Sequence, residues 1–209
     1  MARTVGIGHQ DFEQVIAKNI FYVDKTMFIK EWWENEDVVT LITRPRRFGK
    51  TLNMSMLEKF FSIEYAGRSD LFEELSIWKE EKYRKLQGSC PVIALSFANI
   101  KESSCLNAKR KICQIITKLY NRFDFLPESG KLNEKEKDFF RKVTDEMEEY
   151  VATDSLNALS HYLMSYYGKK VIILLDEYDT PVQEAYVHGY WQEMVEFIRS
   201  LFNATFKTN

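Results

Sequence analysis

The sequence of 209 residues is poor in the residues that mark several protein classes. Its 3 cysteines have no C-x-x-C spacing and no histidine close by, so neither a disulfide framework nor a zinc site is indicated. The 4 prolines and 8 glycines are too few for a disordered chain. No apolar run approaches the roughly 18 residues of a membrane-spanning helix, and no secretion signal opens the chain. We therefore expect a soluble, globular protein of the reducing cytoplasm.

The chain also lacks an excess of charge of one sign. Its 29 basic and 31 acidic side chains give a formal net charge of -2, which argues against a protein that coats nucleic acid by charge alone. Hydrophobic residues make up 45% and aromatic residues 14%, enough for a well-buried core. The length fits one domain over residues 1–209, with a lead-in at 1–36 and a core at 37–209.

Residues 40–51 are the most informative part of the chain. An apolar strand, predicted over residues 37–43, runs into a loop that ends in Gly-Lys-Thr, and a helical pattern follows over residues 50–61. This order is typical of a phosphate-binding loop, in which backbone N–H groups at a helix N-terminus and a lysine offset the charge of a nucleotide. Arg44 stands where the common G-x-x-x-x-G-K-S/T pattern has its first glycine.

A second motif lies at residues 170–177, where an unbroken run of branched apolar residues ends in Asp176 and Glu177. Such a run predicts a strand that is buried on both faces. In phosphate-loop NTPases the acid at the end of this strand holds magnesium, and a following glutamate polarises the attacking water. Isolated acids after a strand also begin many solvent-facing loops, but two motifs in the correct order favour a nucleotide site.

Together these motifs resemble the AAA-ATPase-like domain proteins found in many bacteria, whose phosphate loop also reads Thr-Arg-Pro-Arg-Arg-Phe-Gly-Lys-Thr or -Ser. The resemblance continues through residues 6–12, 21–26 and 176–181. It implies an ATP-binding module of the AAA+ class with a helix-rich α/β fold, a three-layer P-loop NTPase core around a parallel sheet. Members often continue into a C-terminal nuclease-like domain.

The motifs and the resemblance together assign roles to individual residues. Backbone N–H groups from Phe48 to Leu52 are expected to surround the β-phosphate of ATP, while Lys50 bridges the β and γ oxygens. Thr51 and Asp176 are the predicted Mg2+ ligands, and Glu177, Asp176 and Lys50 are the predicted catalytic residues. The predicted nucleotide-binding residues are Arg44, Arg46, Arg47, Phe48, Gly49, Lys50, Thr51 and Leu52.

The arginines of the loop have two interpretations. Guanidinium groups suit phosphate oxygens, but each arginine is equally expected to pair with a neighbouring acid or to contact nucleic acid. Asp179 is expected to cap the helix that begins near Pro181 rather than to act on water. The resemblance also implies that Tyr22, Val23 and Asp24 flank the adenine.

The remaining pattern predicts a strand at residues 91–97 and helices at 106–123, 134–150, 155–166 and 190–206. Only three strands are predicted, whereas a AAA-type core has five. The resemblance implies that the next strand begins beyond Asn209, so we expect a truncated core without its last two strands and helical lid. Hydrolysis is then expected to require the missing portion or a neighbouring subunit.

Three functions are compatible with these motifs. The leading hypothesis is an ATPase module that couples its nucleotide state to a protein partner or to another copy of itself. A non-hydrolysing nucleotide switch shares every motif and differs only in whether Glu177 is used. In the third hypothesis, the basic loop from Arg44 to Lys50 binds the phosphates of a nucleic acid strand.

Overall fold

The computed structural model describes residues 5–6, 8–43, 45 and 48–206. It divides into two compact units, an N-terminal unit of residues 1–92 and a C-terminal unit of residues 93–209. The helices of the N-terminal unit are α1 (Phe12–Ala17), α2 (Met27–Asn35), α3 (Lys50–Phe61) and α4 (Glu81–Arg84). Short 3-10 turns lie at Ile63–Tyr65, Ser69–Leu71 and Ser76–Lys79.

The C-terminal unit opens within strand β1 (Val92–Ser96) and contains a second strand, β2 (Ile172–Asp176). Its helices are α5 (Cys105–Asn121), α6 (Glu134–Lys142), α7 (Glu149–Tyr167), α8 (Thr180–His188) and α9 (Trp191–Phe206), with a 3-10 turn at Leu126–Glu128. β1 and β2 pair in a parallel, two-stranded sheet, joined by the helical segment between them. The described chain is therefore helix-rich α/β.

Aromatic packing on α3 organises the N-terminal unit. The pattern of α3 places Phe60 and Phe61 on its buried face, as the sequence predicted. The Phe72 ring packs edge-on against Phe60 at 5.1 Å and stacks on Phe12 of α1 at 5.2 Å between centroids. All four rings are fully buried, and each stabilises the fold by roughly 2–3 kcal/mol through removal of apolar surface from water. This packing fixes α1 against the helix that follows the predicted phosphate loop.

The predicted strand at residues 37–43 is wrong. The structure contains no strand there, and the side chains of Val38, Val39 and Leu41 are exposed by 80, 59 and 63%. A buried strand requires a neighbour that pairs with its N–H and C=O groups, and an apolar sequence alone does not supply one. Instead, the Thr40 hydroxyl accepts a hydrogen bond from Trp32 Nε1 at 3.1 Å. The three-layer core that included this strand stays a prediction.

Helix α7 is the centre of the C-terminal unit. Its buried face carries Leu156, Leu159 and Leu163, none of which has any exposed surface, and it packs mainly against α9 and also against α5. The Tyr120 hydroxyl of α5 donates to the Ser155 carbonyl at 2.7 Å, so this buried polar pair is satisfied. The helices thus form a packed core around the sheet.

Two predictions for the C-terminal unit need correction. The helix predicted over residues 134–150 is shorter than expected: α6 ends at Lys142, where the buried Val143 has an extended backbone, and residues 149–150 already belong to α7. The acidic strand was predicted to be buried on both faces, but only Leu174 of β2 is buried, and the other apolar residues are half-buried. Within the described residues β2 pairs with β1 alone, which leaves its remaining surface less covered.

Candidate functional site

The N-terminal end of α3 has the backbone of an anion-binding site. Gly49 precedes the helix with φ 76° and ψ 21°, in the left-handed region that glycine adopts without steric cost. Asn53 donates an intrahelical bond to the Gly49 carbonyl at 2.9 Å, and the N–H groups of residues 50–52 point out of the helix end. These groups and the helix dipole favour a negatively charged ligand.

A cavity of ≈ 180 Å³ lies beside the α3 end, within the N-terminal unit. On the α3 side it is lined by Gly49, Leu52 and Asn53. The rest of the lining comes from residues 6–25, hereafter the N-terminal segment. These lining residues are Gly6, Gly8, His9, Val15, Ile20, Phe21, Tyr22, Val23 and Lys25. The lining is mixed, with apolar side chains such as Ile20 and Leu52 beside polar ones such as His9 and Asn53.

Tyr22 is a rigid part of this wall. Its ring packs edge-on against Phe12 at 5.5 Å, and its hydroxyl contacts Met56 Sδ at 3.5 Å while accepting a bond from the Lys25 N–H at 3.3 Å. Burial raises the pKa of Tyr22 to about 12, so the side chain is neutral at physiological pH. The tyrosine therefore offers the cavity an uncharged, well-ordered surface.

Gly6 allows the N-terminal segment to fold closely over the cavity. A Cβ atom at this position would lie 2.6 Å from His9 Cδ2 and 2.9 Å from Ile20 Cγ2, so the side chains of His9 and Ile20 would have to shift. The Phe12 N–H donates to Ser55 Oγ at 3.0 Å and attaches the segment to α3. Sequence reasoning did not assign Gly6, Gly8 or His9 to the site, although the spacing of the two glycines was a signal of close backbone approach.

Asp24, which was expected beside the adenine, instead holds two segments together. Its carboxylate accepts bonds from the Thr26 N–H at 2.8 Å, the Thr26 hydroxyl at 2.7 Å and the Ser76 N–H at 2.7 Å. Burial by itself raises the pKa of Asp24, but the hydrogen bonds from Thr26 and Ser76 outweigh it and lower the pKa below its usual value of 3.8. Of the three predicted residues, Tyr22 and Val23 line the cavity and Asp24 does not.

The predicted acids of the C-terminal unit lie in a tight turn at residues 176–180, hereafter the acidic turn. Asp176 ends β2, and its carbonyl accepts a bond from the Phe97 N–H at 3.0 Å. Its Oδ1 accepts from the Glu177 N–H at 3.1 Å. Glu177 has φ 49°, and its Oε2 accepts from the Thr180 hydroxyl at 3.4 Å. Both carboxylates are half-buried.

Asp179 occupies the N-cap position of α8, as predicted, but the predicted capping role is not confirmed, because its side chain makes no capping bond. The Asp179 carboxylate instead accepts from Gln183 Nε2 at 2.5 Å. Thr180 is the first helical residue, and Pro181 follows it at a position that needs no N–H donor.

The predicted site residues are thus distributed over both units. Phe48, Gly49, Lys50, Thr51 and Leu52 lie at the α3 end, whereas Asp176 and Glu177 lie in the acidic turn. A magnesium ion shared by the two groups stays a prediction. Arg44, Arg46 and Arg47 lie outside the described residues.

Among the described residues, no cluster of three or more His, Cys, Asp or Glu side chains has the arrangement of a metal site. In the same part of the chain, no helix is both long and apolar enough to cross a membrane.

Comparison with known proteins gives one family and one distant relative. The family model described as "Predicted AAA-ATPase" matches residues 6–209. An "Uncharacterized protein in vnfD 5'region" of Azotobacter chroococcum mcd 1 is 26% identical over 177 residues, which cover 84% of this chain and 29% of the relative. The chain therefore spans less than a third of the length of that protein. No solved structure matches the chain significantly.

Proposed function

The chain belongs to the AAA-ATPase-like family, and on that premise we propose that it is a module that binds ATP with Mg2+. One observation carries the proposal: Gly49, in a left-handed conformation, begins α3 directly before Lys50 and Thr51, next to a cavity. The phosphates of the nucleotide bind the N–H groups at the α3 end, and Lys50 adds a positive charge there.

The nucleoside of the bound nucleotide occupies the cavity beside the α3 end. This placement is supported by the lining, which combines Ile20 and Leu52 with the polar side chains of His9 and Asn53. Tyr22 is half-buried and held by Phe12 and Met56, so its aromatic ring is an ordered surface for contact with a flat heterocycle. The N-terminal segment therefore contributes most of the residues that line the proposed nucleoside site.

The side chains predicted as magnesium ligands fit that ion chemically, since a hydroxyl and a carboxylate are hard oxygen donors. Thr51 and Asp176 would hold it, and the ion would offset charge on the phosphate oxygens. Glu177 orients the attacking water and accepts its proton, in the full-length protein or with a neighbouring subunit. Through hydrolysis the module couples its nucleotide state to a partner protein.

Titration calorimetry with ATP, GTP and ADP, with and without magnesium, tests the binding proposal. Lys50→Ala is expected to weaken ATP binding by about 100-fold, because charge-assisted hydrogen bonds to phosphate contribute roughly 3 kcal/mol. The matched control is Lys85→Ala, which removes an exposed lysine of the same unit and should change affinity less than about twofold. A flat titration of the wild-type chain, or equal losses in the two variants, would contradict the proposal.

Glu177→Gln separates an ATPase from a nucleotide switch. The amide keeps the size of the side chain but cannot accept the proton of water. We expect ATP binding to remain and turnover to disappear. Unchanged nucleotide behaviour in this variant would favour the non-hydrolysing switch, and steeply salt-dependent DNA binding that ignores ATP would favour the nucleic-acid hypothesis.

A further inference from the structure

The backbone of Glu177 has an unusual conformation for its residue type. Its φ of 49° lies in the left-handed region, where the Cβ of any residue other than glycine crowds the following carbonyl. Such residues persist only where the surrounding contacts fix them, and they are common at functional sites. At Glu177, contacts with neighbouring residues hold the backbone in this conformation.

Thr180 contacts Glu177 twice. Its N–H donates to the Glu177 carbonyl at 3.1 Å, which closes the turn, and its hydroxyl donates to Glu177 Oε2 at 3.4 Å. Thr180 is only 9% exposed and is the first residue of α8, so its own position is fixed by the helix. A single residue therefore restrains both the backbone and the carboxylate of Glu177.

Neighbouring contacts make the acidic turn rigid on both sides. The Tyr178 ring packs edge-on against Phe202 of α9 with centroids 6.1 Å apart. On the other side, the Glu177 N–H donates to Asp176 Oδ1 at 3.1 Å, which orients the Asp176 carboxylate.

We propose that Thr180 is a positioning residue for Glu177, whose hydroxyl holds the carboxylate in the orientation used on the attacking water. This inference rests on the proposed function, because it needs Glu177 to act as the base. With Oε2 engaged by the hydroxyl, rotation of the carboxylate is restricted, and a general base is effective only when it is oriented towards its proton. Thr180 itself does not contact the reacting atoms.

The test compares four variants made in the full-length protein, because hydrolysis is proposed for that protein. Thr180→Val keeps the branched shape and removes the hydroxyl, Thr180→Ala removes both, and Thr180→Ser restores the hydroxyl alone. The matched control is Thr153→Val, a threonine near the start of α7 whose hydroxyl donates to the Tyr150 carbonyl at 3.2 Å rather than to a carboxylate. Calorimetry gives the affinity for Mg-ATP, steady-state kinetics give kcat and KM, and NMR follows the amide and side-chain resonances of Glu177.

We expect kcat of Thr180→Val and Thr180→Ala to fall by about 10-fold or more, with KM and ATP affinity unchanged within about threefold. Thr180→Ser should recover most of the wild-type kcat, and Thr153→Val should behave as wild type. A role in folding alone would instead lower the melting temperature of the valine variant without this split between kcat and KM. If Thr180→Val does not fold, the alanine and serine variants make the same comparison.

Two results overturn the inference. One is a wild-type kcat in the folded valine or alanine variant, and the other is Glu177 resonances that do not move when the Thr180 hydroxyl is removed. The proposed function fails separately, if the wild-type chain binds no ATP. In that case the Glu177 resonances still show whether Thr180 positions the carboxylate.

Discussion

The α3 end and the acidic turn each place one residue in the left-handed region just before a helix, but the residue types differ. Gly49 adopts this conformation without steric cost, and within the described residues no atom outside its chain neighbours and its own helix backbone lies within 4 Å of the place where a Cβ would be. Glu177 adopts it against its preference and is restrained by Thr180. At the α3 end, the proposed ligand contacts come from backbone N–H groups, so a side chain at residue 49 is unnecessary. In the acidic turn, the proposed role needs a carboxylate, and contacts with Thr180 offset the strain of its backbone.

The largest expected effect concerns the segment that covers the cavity beside the α3 end. Gly6→Ala inserts a methyl group into His9 and Ile20, so we expect a loss of roughly 2 kcal/mol of stability and at least about a 10-fold loss of ATP affinity. The control is Gly8→Ala, which has open space around the added Cβ but a φ of 83°, and should cost about half as much. Chemical denaturation and calorimetry measure both. Equal effects of the two variants would show that the close packing at Gly6 is unimportant.

We expect charge pairing at Lys59, as well as aromatic packing, to hold α3 in place. The ammonium group of Lys59 is nearly buried, 3.6 Å from Asp11 Oδ2, 3.4 Å from Glu58 Oε2 and 4.4 Å from the centre of the Tyr65 ring. Lys59→Ala should lower the free energy of unfolding at neutral pH by about 1.5 kcal/mol, through lost stem packing and lost pairing. Lys85→Ala, at an exposed position, should have little effect.

We expect the contribution of Lys59 to the free energy of unfolding to depend on pH. Burial alone lowers the pKa of Lys59, but contacts with Tyr65, Glu58 and Asp11 raise it above the usual 10.5. A raised pKa means that the charged form stabilises the fold below 10.5 and that this contribution disappears as the pH rises through the folded-state pKa. The difference between wild type and Lys59→Ala should therefore shrink in alkaline urea titrations. A constant difference would contradict the pairing.

Exchanging residue types at the two left-handed positions, residues 49 and 177, tests whether backbone strain or side-chain contacts dominate at each position. Gly49→Ala should destabilise the chain by about 1 kcal/mol, because alanine resists this backbone conformation. Glu177→Gly should change stability by less than about 0.5 kcal/mol, since relief of strain offsets the lost bond from Thr180 and the greater freedom of the unfolded chain. The midpoints of urea unfolding of the two variants, compared with wild type, measure these changes in stability. A large loss in Glu177→Gly would mean that its side-chain contacts outweigh the strain.

The smallest expected effect is at Asp24, whose role here is structural. Its pKa is lowered in the folded state, so its contribution is present above the usual value of 3.8 and is lost as the pH falls through the folded-state pKa. Asp24→Asn should therefore differ from wild type at neutral pH, and in urea titrations the difference should shrink as the pH falls below 3.8. Asp37→Asn, at an exposed position, should show no such convergence. Parallel curves for wild type and Asp24→Asn would contradict the assignment.

Local signals predicted the elements that carry the candidate site. The helical spacing after Lys50 was confirmed by α3, and the apolar run before Asp176 was confirmed by β2. The apolar run at residues 37–43 failed as a strand, because pairing depends on a neighbour that the local sequence does not specify. The role of Asp24 was equally inaccessible, since its partner Ser76 lies 52 residues further along the chain.

Two candidate motifs, a Gly-Lys-Thr helix start and a pair of acids after a strand, could be identified from the sequence alone, because each consists of a few adjacent residues. Tertiary structure decided how they are supported. The wall of the cavity comes from Gly6 to Lys25, and the conformation of Glu177 comes from contacts with the first residue of α8. Such features arise only when distant or strained parts of the chain pack together, since their energies belong to contacts rather than to local preference.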